Sequence, residues 1–179
     1  MTVEASDFFR NLPDVLRART IRYFSEELAL EARPATETPV LRNRLRLPDS
    51  SVTAIMGLSG SLHVLVAFSF SSSLADHVFR TSTAELAIAP EEKETMMNES
   101  TSEVINLVIG HSMEDLDRLG DTISLSPPAV ISEGRQLHRP RDACFSELAF
   151  STDQGMLNVF FIAPPDLFDE TLQAAGNGT

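Results

Sequence analysis

A repeated pattern constrains the fold of this chain more than any other feature of its sequence. Residues 60–64 (GSLHV) and 155–159 (GMLNV) share glycine, leucine and valine at matching positions, and each segment leads into an apolar run. The turn Ser59-Gly60-Ser61 also joins two apolar runs, at 52–58 and 62–70, which is the pattern of a β-hairpin. The chain is therefore predicted to consist of two similar halves, each with a hairpin followed by a helix.

Two longer helices are predicted from apolar residues that recur at intervals of three and four. The first spans residues 7–33, and the second begins at Pro90, a residue favoured in a first helical turn, and ends near Gly120. The other predicted elements are short helices at 73–79 and 165–174, strands at 123–125, 129–132, 145–150 and 156–163, an edge strand in the second part of 36–48, and a frayed tail at 175–179. This order indicates an α+β fold, with an antiparallel or mixed sheet layered by long helices on one face.

The length and charge of the chain limit its class. With 179 residues and 42% hydrophobic residues, it can bury one sizeable core, so we expect a single domain over residues 1–179. Its 26 acidic residues against 14 basic ones give a net charge of -12, which argues against nucleic-acid binding because no basic surplus faces the phosphates.

Cysteine content and hydropathy predict a cytoplasmic protein. The single Cys144 cannot form an internal disulfide, and its alternating surroundings predict a packed thiol in a strand. The start of the chain lacks the basic region of a signal peptide, and the longest apolar run, 62–70, is too short to span a bilayer. No membrane association is expected.

The long second helix carries a polar stripe of candidate functional residues. Glu99, Glu103, Asn106 and Gly110 stand at i, i+4, i+7 and i+11, while apolar residues recur on the opposite side. A carboxylate can bind a cation, and an amide can orient a water molecule without titrating. Spacing alone also fits an ordinary solvated face of an amphipathic helix.

Several motifs around this stripe resemble the CheC/CheX/FliY group of chemotaxis phosphatases, and the CheX-like branch in particular. The group's pattern is Asp or Ser, three residues, Glu, two residues, Asn, and a proline about two dozen positions later. Glu103-Val-Ile-Asn106 matches the centre of this pattern, and Pro128 follows at nearly the expected distance. The resemblance covers residues 52–163. It departs at Glu99, which replaces Asp or Ser, and at the doubled proline, which leaves open whether Pro127 or Pro128 matches.

The resemblance implies an enzyme that hydrolyses the aspartyl phosphate of a phosphorylated CheY-like response regulator. By analogy, Glu103 pairs with the regulator's lysine and Asn106 positions the attacking water, while Glu99, Gly110 and Pro128 contact the regulator. It implies no cofactor on this chain, because the regulator supplies its own Mg²⁺, and it implies a homodimer joined through sheet edges. The alternative is a non-catalytic docking module with the same fold, which the replacement at Glu99 favours.

Other candidate sites are weaker. The four histidines, His63, His77, His111 and His138, show no metal-ligand spacing, so we expect no metal site. The basic cluster at 138–142 suits an acidic partner or a solvated loop. The segment 166–173 repeats the stripe spacing with glutamine in place of asparagine, which leaves a second active site open.

Overall fold

The computed structural model describes residues 3–35, 40–42, 51–60, 63–116, 123–131 and 144–163. These residues form three α-helices and eight strands, and a single 3₁₀ turn, Pro90–Glu92, precedes the third helix. The helices are α1 (Val3–Glu27), α2 (Ser72–Ser82) and α3 (Lys93–Leu116). The strands are β1 (Arg33–Pro34), β2 (Val40–Arg42), β3 (Ser51–Ser59), β4 (His63–Ser71), β5 (Ser124–Leu125), β6 (Ala129–Ile131), β7 (Cys144–Thr152) and β8 (Gly155–Ala163).

All the strands belong to one antiparallel sheet with the order β1-β7-β8-β4-β3-β5. The two hairpins, β3–β4 and β7–β8, meet at its centre, where Val66 pairs with Phe161. The short strands β1 and β2 pair with the outer strand of the second hairpin, and β5 and β6 pair with the outer strand of the first. Each half of the chain therefore extends the hairpin of the other half, as expected of the predicted duplication.

The main core lies between the three helices and one face of the sheet. Successive side chains of β8 point to opposite faces of the sheet. Leu157, Val159 and Phe161 belong to the core beneath the helices, whereas Phe160 and Ile162 belong to a smaller cluster apart from it. Apolar burial on this scale is the main stabilising contribution to a fold of this kind. The predicted α+β class, with helices layered on one face, is confirmed.

The first helix differs from its predicted bounds. It ends at Glu27, and not at residue 33, because Ala29 adopts a left-handed conformation with φ of 50°. The backbone N–H of Leu30 then donates to the carbonyl oxygen of Phe24 at 2.9 Å, and His77 lies against the carbonyl oxygen of Leu28 at 3.2 Å. These contacts provide partners for carbonyl groups at the end of the helix. The chain then leaves the helical path and continues to β1.

The remaining predicted elements are found with small shifts in their bounds. α3 follows a turn that begins at Pro90, as predicted, and the Glu92 carboxylate accepts from the backbone N–H of Ala89. The predicted end of this helix near Gly120, the basic cluster at 138–142, the helix at 165–174 and the tail lie outside the described residues. None of the helices that the structure describes is long and apolar enough to cross a membrane.

Candidate functional site

The polar stripe lies on the outer face of α3. Glu99, Glu103 and Asn106 are exposed, while a line of five residues four apart on the same helix is buried against the core. These five are Ser100, Val104, Val108, Ser112 and Leu116. Burial of that face fixes the orientation of the helix, so the stripe points outward as predicted.

Glu103 and Asn106 contact each other. The Nδ2 group of Asn106 donates to Oε2 of Glu103 at 3.4 Å, one turn away along the helix. Neither Glu99 nor Glu103 forms an ion pair with any residue that the structure describes. The stripe can therefore offer carboxylate oxygens to a cation of another molecule, and an adjacent amide to a water or an oxyanion.

Gly110 leaves an open space at the far end of the stripe. A Cβ atom built at this position meets nothing within 4 Å. Packing inside the chain, the simplest reason for a glycine in a helix, therefore does not account for it. A gap of this kind is compatible with close approach of another backbone.

Pro128 lies in a different element from the four stripe residues, which are all on α3. It is half-buried in the connection between β5 and β6, next to the outer edge of β3. The preceding Ser126 fixes this connection, because its N–H donates to the carbonyl of Gly57 and its Oγ accepts from the Gly57 N–H, both at 2.9 Å. α3 packs on β3 and also contacts β6. The helix that carries the stripe and the connection that carries Pro128 are therefore both held against β3.

A second helix borders the stripe, which the sequence did not reveal. α1 runs antiparallel to α3, and near its middle Arg19 forms two hydrogen bonds of 2.6 Å with the carboxylate of Asp115. About one turn further along α1, Tyr23 is half-buried beside the stripe. Burial, and then the charges of Glu27 and Glu103, raise the pKa of Tyr23 to about 12.

Tyr23 lines a groove of about 390 Å³ between α1 and α3. Its proximity to Glu103 depends on how two distant helices pack, so no local motif could have indicated it. The only sequence signal is composition, because Tyr23 is the single tyrosine of the chain and there is no tryptophan.

The other candidates from the sequence do not form a site among the described residues. No group of three side chains suited to a metal is found in that part of the chain. His77 of α2 contacts the carbonyl oxygen of Leu28, His63 contacts Ser59 at 3.0 Å and His111 lines the groove. Cys144 is a half-buried free thiol packed against the core, which confirms its prediction. His138 and the segment 166–173 fall outside the described residues.

Comparison with known families settles the assignment. The family model described as chemotaxis phosphatase CheX matches residues 52–151, more than half of the chain. This chain belongs to the CheX family. The matched range contains Glu99, Glu103, Asn106, Gly110 and Pro128, and the predicted resemblance is confirmed. Among curated protein sequences, none matches the chain significantly.

Solved structures of CheX and related proteins share its fold. The chemotaxis protein CheX of Desulfovibrio desulfuricans is 18% identical, with a TM-score of 0.72 over 86% of this chain and 99% of that protein. A CheX–CheY–BeF3–Mg²⁺ complex from Borrelia burgdorferi is 19% identical, with a TM-score of 0.62 over 84% and 95%. FliY of Thermotoga maritima is 16% identical, with a TM-score of 0.63 over 97% and 96%.

Proposed function

We propose that this chain is a phosphatase that hydrolyses the aspartyl phosphate of a phosphorylated CheY-like response regulator. Membership of a family of chemotaxis phosphatases supports the reaction, and the complex of a Borrelia relative with CheY supports the partner. The observation that carries the proposal is the exposed Glu103–Asn106 pair, joined by a hydrogen bond on the outer face of α3.

In this proposal Glu103 and Asn106 have different roles. Glu103 pairs with the lysine beside the regulator's phosphorylated aspartate, since it has no basic partner within the described chain. Asn106 holds a water molecule in line with the phosphorus, because its amide both donates and accepts without titrating. Catalysis then comes from positioning and electrostatics.

The proposed reaction requires no covalent intermediate on this chain. The oxygen of the held water forms a bond to phosphorus while the bond from phosphorus to the aspartyl oxygen breaks. The regulator's aspartate leaves as a carboxylate, and the water's proton passes to the released phosphate and solvent. Because the regulator brings its own Mg²⁺, we assign no cofactor to this chain, and we place the reaction in the cytoplasm.

Three further residues are proposed to contact the regulator. The open space at Gly110 favours close approach of its backbone. Glu99 lies one turn before Glu103 on α3, and Pro128 lies in the connection between β5 and β6. Glu99 is longer than the Asp or Ser of the family pattern, and this difference favours a second candidate function, in which the chain docks a regulator without accelerating phosphate loss.

An assay of phosphate loss tests the proposal. A CheY-like regulator is phosphorylated with a small-molecule donor and incubated with the wild type, with Asn106→Ala or with Asn98→Ala. Asn98→Ala is the control, because it makes the same substitution on the same helix at a half-buried residue that is not part of the stripe. We expect acceleration by the wild type and Asn98→Ala but not by Asn106→Ala. Equal acceleration by Asn106→Ala would exclude its proposed role, and binding without any acceleration would establish the docking module.

A homodimer through a sheet edge is also proposed. Among the strands that the structure describes, the short strands β2 and β6 each pair with a single neighbour, at opposite sides of the sheet. An unpaired edge is open to pairing with another chain. Light scattering at micromolar concentration would show twice the monomer mass if this is correct, and the monomer mass if it is wrong.

A further inference from the structure

The groove between α1 and α3 is not used by the reaction proposed above. It is lined by Tyr23, Leu107, Val108 and His111, with charged residues of both helices around them. It adjoins the stripe directly, because Leu107 follows Asn106 in the chain and the charge of Glu103 acts on the Tyr23 hydroxyl. A regulator seated on the stripe would therefore cover this groove as well.

The basic side chains of the groove are already paired. Arg19 is held by Asp115, and Arg22 donates to the carboxylate of Glu26 at 2.9 and 3.0 Å. Glu27 and Glu114 are exposed at the groove and form no ion pair with the described part of the chain. The unpaired charge around the groove is therefore negative.

The floor of the groove is apolar. Val108 is buried, and Leu107 and Tyr23, which also line the groove, are half-buried. An apolar floor with an acidic rim matches a side chain with a hydrocarbon stem and a cationic end, such as lysine or arginine. An acidic or a purely apolar segment would leave the rim carboxylates uncompensated when the groove is covered.

We propose that the α1–α3 groove binds a lysine or arginine side chain of the response regulator, as a second contact beside the catalytic pair. This inference rests on the proposed function, since it takes the same partner. The groove serves recognition and does not touch the reacting atoms. Loss of its charge should therefore raise KM and leave kcat unchanged, whereas loss of Asn106 should lower kcat.

Charge reversal of the rim provides the test. Glu27 lies in the last turn of α1, where lysine is favourable, and Glu114 is exposed on α3, so Glu27→Lys/Glu114→Lys should fold. The control Glu85→Lys/Asp153→Lys changes the net charge by the same amount in exposed turns away from the groove. We expect a rise in KM of about tenfold for the rim variant and little change for the control. An equal KM in the two variants, or a lower kcat with unchanged KM, would overturn the inference.

Tyr23 offers an independent readout of the groove. As the only tyrosine, it gives a single set of ring resonances when the chain is labelled at tyrosine and mixed with an unlabelled regulator. Binding of a regulator activated with beryllofluoride should shift these resonances in the wild type. Binding without any shift would overturn the inference, even if the phosphatase assay succeeds.

The two readouts separate this inference from the proposed function. If the wild type binds the regulator and shifts Tyr23 but does not accelerate phosphate loss, the groove stands and the phosphatase proposal fails. If it accelerates phosphate loss while the rim variant behaves like the control, the phosphatase proposal stands and the groove inference fails. If it neither binds nor accelerates, both are wrong.

Discussion

Gly110 lies inside α3, where alanine is ordinarily the more stable residue. Because an added Cβ meets nothing within 4 Å, Gly110→Ala should raise the free energy of unfolding by roughly 0.5–1 kcal/mol. The same methyl group would occupy the space that the proposed regulator needs, so affinity for a beryllofluoride-activated regulator should fall. Denaturant unfolding and a binding titration measure the two effects. Unchanged affinity would show that Gly110 is not a contact.

Tyr23 allows a spectroscopic test of its position. Its pKa is raised from 10.0 to about 12 by burial and by the charges of Glu27 and Glu103. Ultraviolet titration of tyrosinate in the folded protein should therefore show a single late transition. Glu103→Gln should lower this pKa, whereas Glu99→Gln, one turn further along the stripe, should change it little. Equal titration curves for the two variants would contradict the placement of Tyr23 beside Glu103.

The same shift in pKa has a consequence for stability. The folded state favours the neutral phenol, so the unfolded chain releases the proton first as pH rises. The contribution of Tyr23 to the free energy of unfolding is fully present below about pH 10 and is lost as pH approaches about 12.

Residue spacing predicted that Glu103 and Asn106 lie on one face of a helix, but it gave no indication of Tyr23 beside them. The first two lie on one helix, and helical periodicity alone brings residues i and i+3 together. Tyr23 is 80 positions from Glu103 in the sequence and comes near it only because α1 packs antiparallel to α3. The direction follows from two contacts, because Arg19 meets Asp115 while Tyr23, later in α1, lies near Glu103, earlier in α3.

At the scale of elements, the turn of the second hairpin is fixed against the start of α2. The backbone N–H of Met156 donates to Ser71 Oγ at 3.1 Å, and the adjacent Gly155 has φ of 136°. A Cβ at Gly155 would collide with Ser71 Oγ. Gly155→Ala should therefore lower the free energy of unfolding by about 2 kcal/mol.

Denaturant unfolding checks this prediction, with Gly110→Ala as the matched substitution at an unstrained glycine. The two variants should change stability in opposite directions. A Gly155→Ala protein as stable as the wild type would contradict the described turn.

The elements themselves were largely predictable, because most of them follow strong local periodicity. The error at the end of α1 has a local cause, since the apolar spacing continues past Glu27 while Ala29 takes a left-handed conformation. Alanine carries no sequence signal for that conformation, which glycine or asparagine usually adopts.

At the scale of the whole molecule, the two long helices share a pattern of burial. Buried residues four apart run through α1 to the residue just after it, at Leu12, Leu16, Thr20, Phe24 and Leu28, and through α3, at Ser100, Val104, Val108, Ser112 and Leu116. Matching these two series places Val15 and Ala18 at the positions of Glu103 and Asn106. The repeated hairpin pattern predicted two similar halves, and we infer from these two buried series that α1 is the counterpart of α3.

This correspondence predicts one regulator per chain, because α1 carries neither a carboxylate nor an amide at the matching positions. Isothermal titration with an activated regulator should give a stoichiometry of one. A stoichiometry of two would contradict the prediction of one regulator per chain. It would support a second site, for which residues 166–173 are the candidate.

The central claim is that Asn106 acts in the chemical step. The most direct test is the rate of phosphate loss from the regulator under single-turnover conditions, as the concentration of Asn106→Ala is raised until binding is saturated. The account predicts a plateau near the regulator's spontaneous rate, at least about a hundredfold below the wild-type plateau. A plateau equal to that of the wild type would show that Asn106 serves only in docking and would contradict the claim.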